Sequence, residues 1–405
     1  MDPFDEEAHI GRRIREVRAF RGMTLKTTAE LAGMTPGHLS NIERGRRRVD
    51  KRSTLEALAA ALSVAPSELA ATPFPPRDDA AAEARAAVGM IEAVVADLRL
   101  DDPVEVEPRA WTEIVADLKH LNSDLRPRAD YAAQGLLVPG LIKELHAVYY
   151  TDQARRSDAL VGLATCYHAA SMLAKSMGVP GIAQLAADRS ITIADRLGRP
   201  GWIAHAAWVR TQAIGGSGRK RQAALARRSI DAVDREPMTP ELRQAVGQLH
   251  LNAALAYASM GQESDAWTHY REAEELAERQ REDVGQFGYM WFGRANVRIW
   301  QVALATEFGY GGRVVEMAKG ARPEVVPSPA RQGEFYADLG RSLAVDKRTR
   351  SQAIQLLRKA ENLAPQRVRN MPFVRETIAD LVQRAQRDSV GRELRGMAYR
   401  MGITL

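Results

Sequence analysis

The chain has 405 residues, of which 45% are hydrophobic, 27% charged and 6% aromatic, with a net charge of +6; at roughly 100–200 residues per domain it holds two or three folded units of ordinary composition. A single cysteine, Cys166, excludes an internal disulfide framework or a cysteine-based zinc site and reads as a small buried thiol. No run of about 18 uncharged apolar residues suggests a membrane span, and the acidic start MDPFDEEAHI lacks the apolar segment of a secretory leader, so a cytoplasmic location is expected.

Helical periodicity begins at once. Ile10, Ile14, Val17 and Phe20 form an apolar stripe among Arg12, Arg13, Arg15, Arg18 and Arg21, which predicts a first helix over Asp5–Arg21, closed by Gly22. Thr24 can cap a second helix, Leu25–Ala32, and Gly33 supplies a turn. Thr35 caps a third helix with Pro36 in its first position and Leu39 and Ile42 on its apolar face. Gly45 ends it before the run Arg46, Arg47, Arg48. A fourth helix over Ser53–Leu62 turns Leu55, Leu58 and Leu62 inward, and a short fifth starts at Pro66 and buries Leu69. Between Gly11 and Arg52 there are twelve Arg or Lys against four Asp or Glu, so the positive charge is concentrated here.

The stretch TLKTTAELAGMTPGHLSNIERGRRRVDKRSTLEALAAALSVAPSELA, Thr24–Ala70, resembles the XRE family of phage-repressor-like helix-turn-helix proteins. It carries the small Ala29 where the two helices cross, the turn Gly33, the ending LSNIERG and the tail LxxLAxALxVxPxEL from Leu55. The resemblance implies that the third helix enters the major groove of double-stranded DNA, with Gly37, His38 and Asn41 facing base edges. It implies phosphate contacts from Lys26, Arg46, Arg47, Arg48, Lys51 and Arg52, which supply affinity rather than sequence choice. Leu25 stands where the family usually has Gln, and Pro36 and Gly37 replace longer polar residues, which shifts readout toward His38, Asn41 and DNA shape. Glu43 is expected to brace the domain through an internal ion pair. Because one such unit reads a half-site, a homodimer on a near-palindromic operator is implied.

The proline-rich TPFPPRDD, Thr72–Asp79, marks a boundary. The expected organisation is a DNA-binding domain over 5–72, a linker and connecting helix over 73–109, and a repeat domain over 110–405. Within the connector, Ala80–Leu100 reads as one helix with Val88, Ile91, Val95 and Leu98 inward, and DDPVEVEPRA breaks it. Helical pattern resumes near Trp111. Interruptions at Gly178, Gly215–Gly218, Gly261, Gly309 and Asp346 recur about 40 to 50 residues apart and each separates two amphipathic helices, the signature of an α-solenoid.

One unit, LNAALAYASMGQESDAWTHYREAEELA (Leu251–Ala277), resembles a tetratricopeptide repeat through Ala254, Tyr257, Gly261, Ala266, Tyr270 and Ala273. A second has Ala353, Leu357, Ala360 and Pro365. Five or six degenerate units are expected from about residue 110, closed by terminal helices over Pro372–Met401. The whole is then an all-α chain: a five-helix lambda-repressor-like head followed by a solenoid of tetratricopeptide-like pairs. The inner surface of such a solenoid holds a peptide or protein segment, and the expected lining is Arg210, Gln212, Gln248, Asn252, Trp291, Arg294, Asn296 and Arg298, side chains suited to anchoring or to clamping an extended backbone.

The joining of these two parts resembles the architecture of the RRNPP peptide-responsive quorum-sensing regulators and other bacterial XRE–repeat regulators. The resemblance implies a sequence-specific transcription regulator whose repeat domain dimerises and binds a signalling peptide or protein. The alternative is a repeat-type interaction adaptor with non-specific or vestigial DNA binding. No enzyme is expected: GGSGRKR at Gly215 lacks phosphate-loop spacing, no His is followed by Glu, and no two His lie three or four residues apart. Catalytic residues, metal and cofactor are all expected to be absent.

Overall fold

The computed structural model describes residues 10–70, 79–214, 218–385 and 391–403, and among these there is no strand. The head comprises α1 (Ile10–Phe20), α2 (Leu25–Leu31), α3 (Pro36–Glu43), α4 (Arg52–Ala61) and α5 (Pro66–Leu69). The connector is α6 (Asp79–Asp97). The body begins with α7 (Trp111–His120), which runs through a π-helical turn, Leu121–Leu125, into α8 (Arg126–Arg128). Then follow α9 (Tyr131–Thr151), α10 (Arg156–Ser176), α11 (Pro180–Leu197), α12 (Pro200–Ile214), α13 (Arg219–Asp231), α14 (Pro240–Ser259) and α15 (Glu263–Glu278). The last are α16 (Arg294–Phe308), α17 (Arg313–Ala318), α18 (Pro329–Leu343), α19 (Arg350–Leu363), α20 (Pro365–Val368), α21 (Pro372–Ala385) and α22 (Arg392–Arg400).

The helices start where the sequence offers caps. Thr24, Thr35, Asp130, Thr239 and Ser328 each accept a hydrogen bond from a first-turn amide, satisfying a donor the helix itself leaves free. The head folds around Ile10, Ile14, Ala29, Leu39, Ile42, Leu58, Leu62 and Leu69, all buried. Phe20, expected on that apolar stripe, is instead 92% exposed. It is the last residue of α1, beyond the point where α3 and α5 cover the helix. Residues 5–9 of the predicted first helix, most of the Thr72–Asp79 linker, Gly215–Ser217 and residues 386–390 of the terminal segment lie outside the described residues.

In the body, α10/α11, α12/α13, α14/α15, α16/α17 and α18/α19 are packed pairs, and α10, α12, α14, α16 and α18 also pack in series. Each pair buries a stripe that neither helix could bury alone, so the core runs continuously along the stack. Ala254, Ala266, Ala273, Ala353, Leu357 and Ala360 are fully buried at the crossings the repeat pattern assigned them. Gly247 on α14 shows how close the approach is: a Cβ there would lie 2.1 Å from Cζ of Phe292.

The superhelix returns on itself. Ser328, which caps α18, donates to the Pro127 carbonyl (3.2 Å), and Gln366 Oε1 on α20 accepts from the Tyr131 and Ala132 amides (2.7 and 3.1 Å). Gln366 Nε2 donates to Asp130 (3.0 Å), and Arg367 donates to Ser176 Oγ (3.0 Å). The first and last turns of the body thus meet across its axis. On the outside, α6 lies along α9, and at that crossing a Cβ on Gly135 would fall 1.9 Å from the Cβ of Ala87. Gly135→Ala is expected to destabilise the protein by at least about 1–3 kcal/mol, the usual overpacking cost, and Ala87→Gly in the same chain should restore most of it; thermal unfolding of the single and double variants checks this.

Candidate functional site

Two features carry functional side chains: the face of the helix-turn-helix, and the axis of the body with the contact that joins it to the head. In the head, Gly33 takes a left-handed conformation (φ +66°) between α2 and α3, and Ala29 is fully buried at the crossing. Arg18 on α1 clamps Glu43 at the end of α3 with two bonds, Nε–Oε1 at 2.6 Å and Nη2–Oε2 at 2.8 Å, while Nη1 donates to the Met23 carbonyl (3.0 Å). Glu43 is therefore internally paired, and this pair fixes the angle at which α3 leaves the domain.

Thr35 Oγ1 accepts from the His38 amide (3.2 Å) and sets the first turn of α3. Gly37 and Asn41 are exposed and His38 is half-buried, three residues that share one side of the helix. Desolvation and the nearby Arg47 lower the His38 pKa, so the ring is neutral near pH 7 and offers one donor and one acceptor. Arg46 and Arg47 are exposed beside this face, and Lys26, in a loose i,i+4 pair with Glu30 (4.0 Å), is open to solvent.

Arg48, Lys51 and Arg52, which the sequence assigns to phosphates, occupy a different place: they grip the body. The Arg52 guanidinium pairs with Glu307, at the end of α16, and its amide donates to Glu307 Oε2 (3.0 Å). Lys51 Nζ donates to the Phe308 carbonyl (3.1 Å). Arg48 donates to the Arg341 carbonyl (3.2 Å) and lies 3.5 Å from Asp380 on α21. In return Arg341, on α18, donates to the Asp50 carbonyl (2.8 Å). The Phe373 ring joins the head's own core, with Arg52 5.4 Å and Arg341 5.0 Å from its centroid. Two further contacts flank this centre: the Ile10 amide donates to Glu376 (2.9 Å), and Arg219 reaches Glu56 of α4 (3.4 Å). Burial alone would raise the Glu307 pKa, but Arg52 and Arg341 outweigh it and hold the carboxylate ionised below its ordinary range.

The expected groove residues divide into three groups. Arg210, Arg294 and Arg298 are held by carboxylates of their own chain, Asp188 (3.1 Å), Asp283 (2.8 Å) and Glu274 (3.7 Å). Asn252 is buried between helices and donates to Thr211. Gln212, Gln248, Trp291 and Asn296 meet other polar groups along the axis: Gln212 accepts from Lys175 (3.1 Å), Gln248 donates to the Met290 carbonyl (2.7 Å), and Asn296 donates to the Trp291 carbonyl (3.0 Å) and accepts from Arg331 (2.7 Å). The sequence reading missed Arg126, His168, Lys175 and Tyr289, which lie on α8, on α10 and in the connection before α16. His168 and Lys175 lie seven residues apart, one helical face, but in a unit whose repeat pattern is degenerate. Cys166 is fully buried, which pushes its thiol up to about 12 and leaves it inert.

Residues 9–72 match the model of a helix-turn-helix domain. Among solved structures the chain is similar to PlcR of Bacillus thuringiensis, determined in complex with the peptide PapR7 and DNA; the match has 13% identity, covers 67% of this chain and 95% of that one, and has a TM-score of 0.25, too low for residue-by-residue correspondence. No curated protein matches the chain. Among the described residues no helix is long and apolar enough to cross a membrane.

The head–body contact has a pH response. Burial raises the Glu376 carboxyl to about 7, opposed by the Ile10 amide and the cations Arg375 and Arg48 and reinforced by Asp380. Its folded pKa exceeds that of an exposed Glu, so its contribution is complete below about pH 4.5 and is lost as pH rises through about 7. Amide protection factors in α1 and α21, that is the intrinsic exchange rate at each pH divided by the observed rate, are expected to fall across that window, and Glu376→Gln should flatten them; an identical fall in the variant would show that another group titrates.

Proposed function

We propose that the protein is a sequence-specific DNA-binding transcription regulator whose helical body binds a signal, a peptide or protein segment, and brings two heads together as a homodimer. One observation carries this reading: the head leaves the start of α3 free and flanked by Arg46, Arg47 and Lys26, while it spends Arg48, Lys51 and Arg52 on a rigid grip to the repeat body. The free face suits the major groove, with Asn41 placed to pair with adenine and His38 beside it. The exposed Arg46, Arg47 and Lys26 suit phosphates. The grip makes the position of α3 depend on the body, which is what a ligand-gated reading head requires: a ligand that favours one body geometry shifts the spacing of the two heads. An operator with two half-sites about 34–36 Å apart fits one such dimer.

Selection of genomic fragments with the purified full-length protein, followed by affinity against a scrambled duplex at fixed salt, tests this directly. A near-palindromic site bound about a thousandfold or more tighter than the scramble is expected. Uniform weak binding would transfer the lead to a repeat-type interaction adaptor. On the selected site, Asn41→Ala should cost about 1–3 kcal/mol and relax specificity, whereas Arg47→Ala should weaken all DNA alike and reduce the salt slope by about one. Equal losses for Asn41→Ala on selected and random DNA would remove Asn41 from readout.

A further inference from the structure

The axis of the body holds more cations than its carboxylates can match. Glu334, on α18, is shared by Arg331 and Arg367 (2.7 Å each), Glu56 faces Arg219, Glu307 is taken by Arg52 and Arg341, and Asp338 by Arg341 (2.8 Å). Two cations remain. Arg126 donates to Asn122 and to the ring of His168, and its guanidinium lies 5.8 Å from the ring centroid of Tyr289. Lys175 Nζ donates to Gln212 Oε1 (3.1 Å). Both side chains are half-buried, and among the described residues neither has a carboxylate within ion-pair distance. Withdrawing a cation from water without an opposite charge is costly, and a fold that keeps two such groups on one strip has a use for them.

Other features of the strip point the same way. The Nε1–H of Trp208, a buried residue whose ring sits edge-on to His168 (centroids 4.9 Å apart), has no acceptor. Tyr289 and Trp291 both adopt left-handed backbone (φ +55° and +54°), a conformation unfavourable for bulky residues that persists where the surroundings impose it. Gln244, Gln248 and Asn296 impose it here, through bonds to the Phe287 amide (3.0 Å) and to the Met290 and Trp291 carbonyls. The segment is thereby fixed with the Tyr289 ring toward Arg126 and Trp291 edge-on to Tyr289. Burial holds Lys175 down to about 7, with Arg367 and Arg219 adding repulsion that the more distant Glu334 only partly offsets, and holds Arg126 down to about 10.

We propose that Arg126 and Lys175 form a two-point anion site for an extended ligand of peptide size carrying two carboxylates. The spacing follows from the fold. His168, which touches Arg126, and Lys175 are two turns apart on one face of α10, about 10 Å. An extended chain of polyproline-II type places residues i and i+3 on one side about 9 Å apart. The site rests on the reading of the body as a ligand receptor and gives that ligand its chemistry. It also supplies a route to the head: Lys175 lies within electrostatic reach of Arg219 and Arg52, so a carboxylate on Lys175 relieves repulsion on the arginine that holds Glu307.

Calorimetric titration of the full-length protein at fixed ionic strength with acetyl-Glu-Ala-Ala-Glu-amide, against the Gln-Ala-Ala-Gln analogue, tests the site. The acidic probe should bind at least about tenfold tighter than the neutral one, and Arg126→Met and Lys175→Met should each cost about tenfold with no lowering of the melting temperature, one decade of affinity being the scale of one lost ionic contact. Arg279→Met, on an exposed surface, should leave the affinity as it is. No binding of the acidic probe, equal binding of both probes, or unchanged affinity in both axial variants would overturn the site; if one variant does not fold, the other decides. Sequence-specific DNA binding without probe binding would remove the anion site alone, whereas probe binding without DNA binding would leave the site and remove the regulator.

Discussion

The carboxylate of Glu307 is almost completely withdrawn from water, with 1% of its side chain exposed, and it cannot remain charged there without the guanidinium groups of Arg52 and Arg341. One arginine comes from the head and the other from the body, so a single buried charge ties the two parts of the chain. Removing the head would take Arg52 from Glu307 and the Asp50 carbonyl from Arg341, leaving that carboxylate with one of its two arginines. Phe373 adds an apolar component, lending a body residue to the core of the head. The orientation of α3 is therefore a property of the body rather than of a tether.

The parts of the molecule that the sequence made legible are those whose cause is local. Caps at Thr24 and Thr35, the turn at Gly33 and the inward Leu55, Leu58 and Leu62 act within a few residues, and the head folds as they indicate. Repeat crossings at Ala254, Ala266, Ala353 and Ala360 were readable for the same reason, since small residues at fixed spacing are what close helix packing needs. Arg48, Lys51 and Arg52 show the opposite case. Their position after a recognition helix suggests DNA, but their partners lie 255 or more residues away and leave no mark in the local pattern. Residue type alone marks Arg210, Arg294 and Arg298 as groove candidates; it does not reveal that Asp188 on α11, Asp283 in the connection before α16 and Glu274 on α15 already hold them.

The axis shows a related limit. Lys175 and Arg126 carry no mark in the sequence that sets them apart from the other lysines and arginines. What distinguishes them is that, among the described residues, no carboxylate lies within ion-pair distance of either, and that can be read only after the superhelix has brought α8, α10, α12 and the segment before α16 together. The π-helical turn at Leu121–Leu125 lies directly before Arg126, whose guanidinium bonds Asn122 within that turn and His168 on α10.

The meeting of Ser328 with Pro127 and of Gln366 with Tyr131 has a mechanical meaning. An open stack of repeats behaves as a spring whose units add and melt one by one, because each touches only its neighbours. A stack whose ends are bolted together loses that freedom. Its turns cannot stretch or fray independently, so strain placed on any one of them is shared around the loop. The body should then melt as a single cooperative block, and a truncation that removes α18 with its cap and the helices after it should cost far more than those helices contribute on their own, since it would turn a closed hoop back into a spring.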